Sequence, residues 1–227
     1  MSVQPTYREC RSLEELWAKG VFAIHEKHFP GHELMPIMGN GQCSEPEVMF
    51  VFINPTHRNA SSVRSWMGPR FPFIGTKQVW SVFHRAGLLG DELAYRIRHG
   101  AAWDLELTRN VLRELQARSL YLTNVVKWTG HDAALPAKEM VELFMPILQR
   151  EIEIVRPRRI VAFGQLPFTN LTRLKVKLAD YYADAVRTGV LKTFECAVTA
   201  TGSQVVPCYF PVGRGNPSRA VDLLKLL

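Results

Sequence analysis

The order of elements along the chain predicts an α/β fold: a three-layer α/β/α sandwich with a central four-stranded, mainly parallel sheet. Three observations carry that reading. Short apolar runs rich in β-branched and aromatic residues recur at Val48–Ile53, Leu120–Val126, Arg159–Phe163 and Val205–Phe210, the pattern of strands buried on both faces. Stretches of helical periodicity separate them, and strand–helix–strand succession implies right-handed crossovers with helices on both faces of the sheet. The 227 residues, 47% hydrophobic and 22% charged, suffice for one domain over 1–227 that buries roughly 70 to 75% of its unfolded surface without a disulfide or metal staple.

Ser12 followed by Glu15 makes a capping-box start, and Leu13, Leu16, Val21 and Ile24 recur at roughly helical spacing, which predicts an N-terminal helix at about 12–28. The first strand ends at Asn54-Pro55. Thr76 is placed to cap a helix carrying Val79, Trp80, Val82 and Phe83, and weaker helical patterns run on to about Gln116. Past the second strand, Pro136 suits a first helical turn. Met140, Val141, Phe144, Leu148 and Ile152 then share a face, with a kink at Pro146 and an end near Pro157. Gly164 turns the third strand into a helix over Leu166–Leu174, and Ala220–Leu227 closes the chain. The stretch Ala179–Thr201 is the least legible: two tyrosines followed by an edge hairpin.

The longest purely apolar run, Val48–Ile53, is far below the roughly 20 residues that cross a bilayer. The first eleven residues lack the apolar core and cleavage site of a secretory signal. A cytoplasmic protein is expected, nucleoid-associated if prokaryotic, with no membrane partner. Cys10, Cys43, Cys196 and Cys208 form no C-x-x-C pair and no zinc-ligand spacing, and read as reduced structural thiols. The excess of 28 Lys+Arg over 21 Asp+Glu, a net charge of +7, suits a polyanionic partner without requiring one. The phosphate-loop, dinucleotide, nucleophile-elbow and zinc-deaminase patterns are all absent, which removes the kinase, dehydrogenase, esterase and deaminase readings.

In a parallel α/β sheet the ligand crevice lies beyond the carboxyl ends of the strands. Those ends hold Asn54-Pro55, Asn124 with Lys127, Gly164-Gln165, and the stretch from Phe210-Pro211 to Asn216. Two asparagines there offer paired amide donors and acceptors, the fork that reads the edge of a planar amide-bearing ring such as a nucleobase. Each alone also serves to close a turn. The loop Thr56–Trp66 carries His57, Arg58 and Arg64, three serines and no acid, which suits phosphate contacts or simply a solvated surface. Phe71–Gly75 is an aromatic platform for a base or a piece of core. Val212–Pro217 is a flexible basic tip that enters DNA or forms a turn.

Taken together these residues resemble the uracil-DNA glycosylase superfamily. Met38-Gly39-Asn40-Gly41, Glu47–Ile53 and Asn54-Pro55 look like its G-x-G, strand and first motif. Arg70–Gly75 resembles its R-P-F-V-G segment, Leu120–Lys127 its Y-I-T-N-V-V-K segment, and Leu148–Gly164 its L-x-x-E-I and R-P-x-x-I-V-A-L-G segments. The likeness runs in order from about Gly39 to the C-terminus, and five ordered segments are far more specific than one.

The resemblance implies a monomeric, monofunctional DNA glycosylase of base excision repair, without a cofactor, that flips a damaged or deaminated base out of DNA and hydrolyses its bond to deoxyribose. It implies that Asn54 positions the attacking water and that Ile53, Phe73, Asn124 and Phe210 contact the base. His57, Arg58, Lys127, Gly213 and Arg214 would bind DNA, with Arg214 entering the duplex, while Pro55, Thr56 and Pro211 shape the loops. Three departures stand out. Trp128 follows Lys127 where the iron–sulfur branch carries a cluster cysteine, so no cluster is expected. Ile53-Asn54 replaces that branch's glutamate, in keeping with the mismatch-specific and single-strand-selective branches. Phe210-Pro211 occupies the place of a His-Pro, unless Asn216-Pro217-Ser218 is aligned there instead. His57 is a candidate replacement donor or a phosphate contact. Two other functions stay open: a catalytically weak module that binds damaged or single-stranded DNA, and an enzyme acting on free nucleosides.

Overall fold

The computed structural model describes residues 6–100, 102–132, 134–213 and 215–227. Its sheet comprises β1 (Asn40–Gly41), β2 (Val48–Phe52), β3 (Leu120–Asn124), β4 (Arg159–Phe163), β5 (Phe194–Glu195) and β6 (Gln204–Cys208). They lie in the order β1-β3-β2-β4-β6-β5. The expected four parallel strands form the middle. The sheet is nevertheless six-stranded, because two-residue antiparallel strands cover both edges. Strands that short carry no periodicity to read.

Side chains alternate across the sheet and divide the core in two. Phe50, Phe52, Leu122, Val161, Phe163 and Val206 face one cluster. It is covered by α3 (Gln78–Arg85), α4 (Asp91–His99), α5 (Leu105–Ala117), α8 (Leu178–Thr188) and α9 (Pro217–Leu224). Met49, Val51, Tyr121, Ile160, Ala162 and Val205 face the other, against α6 (Lys138–Val155), α7 (Gln165–Thr172) and the N-terminal helix. The result is the three-layer sandwich that the strand and helix order implied.

The N-terminal helix begins where Ser12 predicts. Ser12 Oγ accepts from the Glu15 amide at 3.2 Å, and Glu15 reaches back to the Arg11 amide at 2.7 Å. It comprises α1 (Leu13–Leu16), a π-helical stretch Trp17–Phe22, and α2 (Ala23–His28). Other boundaries differ from expectation. Lys77, not Thr76, is the cap of α3, and the Thr76 hydroxyl donates to the Phe73 carbonyl instead. Pro136 precedes the cap Ala137 and stands outside α6, whereas Pro146 lies inside it. The two tyrosines fall on α8, an amphipathic helix, before β5 pairs the edge. Helix α9 starts at Pro217, three residues early, since the Asn216 side chain caps it through the Arg219 amide. No helix among the described residues is long and apolar enough to cross a membrane.

In spatial order the parallel strands run β3-β2-β4-β6, so the direction of winding reverses between β2 and β4, the place where such sheets open a crevice. Phe52 is level with Asn124, and Val51 with Ala162, so the three strand ends open together.

Candidate functional site

A cleft of about 1020 Å³ opens at those ends, with Ile53, Asn54, Phe73, Asn124 and Phe210 in its walls. The loops after β2 and β3 are laced together. The Val126 amide donates to Ile53 O, Gly130 to Pro55 O, and His57 back to Gly130 O, at 2.9, 3.1 and 2.9 Å. Pro55, Thr56 and Asn59 are thereby fixed beside the cleft.

Asn124 is 1% exposed, and neither Oδ1 nor Nδ2 of its amide has a hydrogen-bond partner. A buried amide without partners costs on the order of 1–3 kcal/mol, which a ligand presenting a matching donor and acceptor would recover. Asn54 is half-buried, with its Nδ2 donating to Pro55 O at 3.3 Å. The two amides thus differ in what they still have to offer.

Phe73 also lines the cleft, with φ at 71°, the left-handed region, a strain of order 1–3 kcal/mol for a bulky residue. Its ring stands edge-on to Phe52, centroids 4.6 Å apart. Its carbonyl accepts from the Thr76 amide, the Thr76 hydroxyl and the Trp80 indole, which hold the strained turn. Asn59, buried, donates to Phe71 O at 2.8 Å and accepts from Ser61, so it staples the loop after β2 to the phenylalanine turn. Phe210 completes the apolar side. Its loop doubles back so tightly that a Cβ on Gly215 would stand 1.9 Å from the Phe210 carbonyl, and only glycine fits.

Of the basic candidates, Arg58 lines the rim, and Gly213 lies exposed at its edge. His57 is exposed and is not among the cleft-lining residues. Pro211 is buried behind the wall. Arg214 lies outside the described residues. Lys127 requires a correction. It is fully buried, paired with Glu151 and bonded to Thr123 and Asn124, so it contacts no DNA. Its pKa is pushed down by burial, an effect Glu151 opposes. Sequence reasoning missed Lys77 and Leu135 as cleft residues. The sequence marked neither, and Leu135 stands out only in the structure, as an apolar side chain 69% exposed.

The cysteines do not fit an iron–sulfur cluster. Cys10 and Cys196 are buried on the α6 side of the sheet, Cys208 in the opposite cluster, and Cys43 is exposed. Among the described residues no group of three or more His, Cys, Asp or Glu could hold a metal. Trp128 instead packs against Phe29 and His32, each with ring centroids 5.2 Å away.

Fold and cleft define an α/β protein whose strand ends gather an aromatic ring and two asparagines around one cleft. The chain belongs to the uracil-DNA glycosylase superfamily, whose family model matches residues 38–221. It is also 33% identical over 81 residues to a type-4 uracil-DNA glycosylase of Pyrobaculum aerophilum. That stretch covers 35% of this chain and 41% of the relative, so the chain spans less than half the length of the curated protein it matches.

Proposed function

We propose that the protein is a monofunctional DNA glycosylase that hydrolyses the N-glycosidic bond of a flipped-out uracil or other deaminated base and leaves an abasic site for base excision repair. The observation that carries this reading is the buried Asn124 amide, with both polar atoms unpartnered in the wall of a cleft that also holds Asn54 and Phe73. A base taken from the stack needs its edge hydrogen-bonded and its face covered. Asn124 meets the first need and Phe73, with Phe210, the second.

In the reaction water adds its oxygen to the sugar C1′, the bond from C1′ to the base nitrogen breaks, and the base leaves with the electron pair and takes up a proton. Asn54 is too weak a base to ionise water. It acts by holding the water in line and by placing its carbonyl dipole near the positive charge that develops on the sugar. Arg58 at the rim holds a phosphate, whereas the Ser61 and Ser62 hydroxyls are buried and spent on Asn59.

The test is alkali-induced cleavage of labelled oligonucleotides carrying uracil, hypoxanthine, xanthine or a G·T mismatch, single- and double-stranded, by the purified protein and Asn54→Ala. Base release that collapses in the variant is expected. Phe210 favours a second reading. Its ring cannot donate a hydrogen bond to the leaving base, so a module that binds damaged DNA with weak or no cleavage is the alternative. Salt-sensitive binding of these oligonucleotides with no abasic product would select it.

A further inference from the structure

We propose that the buried Lys127–Glu151 pair is a positioning device that aims the Asn124 amide and thereby sets which base the cleft accepts. The inference rests on the glycosylase reading above and assigns a task to two residues that touch no substrate.

The Asn124 side-chain amide has no hydrogen-bond partner, so the one polar hold on this residue that reaches it from the network is through its backbone. That backbone is clamped at one atom by a charged donor: Lys127 Nζ donates to the Asn124 carbonyl at 2.7 Å. The other ammonium protons go to Thr123 Oγ1, at 2.6 Å, and to Glu151. All three donors of the lysine are committed, two of them to the last two residues of β3.

Glu151 reaches this site from the middle of α6 and is itself fully buried. Its Oε1 accepts from the Gly39 amide at 3.1 Å and the Tyr121 hydroxyl at 2.8 Å, and the Thr123 hydroxyl spans both oxygens at 3.0 and 2.9 Å. Burial, reinforced by Glu151, holds the Tyr121 hydroxyl far above its usual pKa, so it remains a donor. Gly39 leaves room for the carboxylate, since a Cβ there would stand 2.5 Å from Oε1. The network therefore ties α6, the residue before β1 and the end of β3 to one point, the Asn124 carbonyl.

A buried ion pair is a poor source of stability, because apolar residues of similar volume often serve as well. What this pair supplies that a Met–Leu contact would not is direction. The adjoining bond from the Val125 amide to Phe52 O, 2.9 Å, passes that register to β2 and so to Asn54. The end of β3 at Asn124 and the end of β2 that leads into Asn54 are thus held in register beside one buried charge pair.

The experiment compares wild type with the charge-free double variant Lys127→Met/Glu151→Gln, which leaves no unpaired charge, and with the milder Glu151→Gln, which keeps an acceptor for Gly39 and Tyr121. Two readouts go beyond stability. One is the ratio of kcat/KM among duplexes carrying uracil, hypoxanthine, xanthine and G·T. The other is the side-chain amide NMR signal of Asn124, assigned by its loss in Asn124→Ala. The expected result is a roughly tenfold or greater narrowing of the spread between best and worst base, together with a shifted or split Asn124 amide signal in a folded variant. A common fall in all four rates with the amide signal unmoved makes the pair mere framework and overturns the proposal. A wild type that releases none of the four bases overturns the glycosylase reading alone. The NMR arm then decides, with an unmoved amide signal against the positioning role and a moved one in its favour.

Discussion

Asn54 and Asn124 are the same residue type at the ends of adjacent parallel strands, yet the structure treats them differently. Asn124 ends its strand inside the protein, 1% exposed, its carbonyl held by a buried lysine and its amide without a partner. Asn54 lies two residues past the end of β2 in a half-open loop, its amide resting on the next carbonyl. The difference separates two chemical tasks. A group that reads a base edge gains from rigidity, because selectivity is a penalty for mismatch and a soft reader imposes little. A group that holds water must meet solvent on one side, and the loop after β2 lets it do so.

That contrast is open to direct attack. Lys127→Met alone leaves Glu151 buried and unpaired, and should cost about 3–5 kcal/mol of stability, read as a fall in the urea or thermal midpoint. Asn54→Ala should leave the midpoint within about 0.5 kcal/mol, since the half-buried amide holds only the neighbouring Pro55 carbonyl, at 3.3 Å. It should nevertheless lower the rate of base release by about 10²–10³-fold, the usual effect of removing one preorganised polar group. Equal stability losses in the two variants would erase the distinction between framework and chemistry.

Phe73→Ala probes the aromatic lining of the same cleft. Loss of one base–aromatic stack is worth about 1–3 kcal/mol, or roughly 5- to 150-fold, and should appear in KM and in DNA affinity. Because Phe73 adopts a left-handed φ of 71°, Phe73→Gly removes the same ring but also releases backbone strain. The glycine variant is expected to be the more stable of the two while binding no better, as differential scanning calorimetry beside a binding titration would show.

The far side of the β3 end gives a smaller effect. His25 is buried with both ring nitrogens unpartnered, and burial foremost lowers its pKa, with His32 and Arg64 adding to the shift and Glu26 opposing it. Between that depressed value and about 6.5 the unfolded chain binds the extra proton, so stability is complete above about pH 6.5. It is lost as pH falls through the folded pKa. The slope is at most about 1.4 kcal/mol per pH unit for one proton. Denaturant midpoints measured across that range should flatten in His25→Phe.

How far this architecture could be foreseen depends on the length of the signal. The four central strands are continuous apolar runs, and their ends picked out Asn54, Asn124 and Phe210 before any geometry. The edge strands Asn40–Gly41 and Phe194–Glu195 exist only because a neighbour pairs them. Lys127 was misplaced for a related reason. A lysine three residues past a strand end reads as surface charge, and the carboxylate that draws it inward is Glu151, on a helix remote in sequence. Buried His25 and half-buried His32 gave no local signal either, since His32 meets the His25 ring on one hand and Trp128 on the other through tertiary packing.

The smallest expected effect tests the open side of the comparison. Arg58 is exposed at the rim of the cleft, no carboxylate is within ion-pair distance of it among the described residues, and it follows the asparagine loop by four positions. If it neutralises one phosphate, Arg58→Ala should reduce the slope of log K against log salt by about 0.9 for duplex DNA, or about 0.7 for a single strand. The affinity loss should be uniform across bases, because a phosphate contact carries no sequence information. Fluorescence anisotropy at several salt concentrations, with matched uracil and undamaged oligonucleotides, separates the two possibilities. An unchanged slope would place the phosphate contacts elsewhere on the rim, where Lys77 is the next candidate. A loss confined to the uracil duplex would mean that Arg58 touches the flipped nucleotide itself, and the division between a reading strand end and a positioning loop would have to be redrawn.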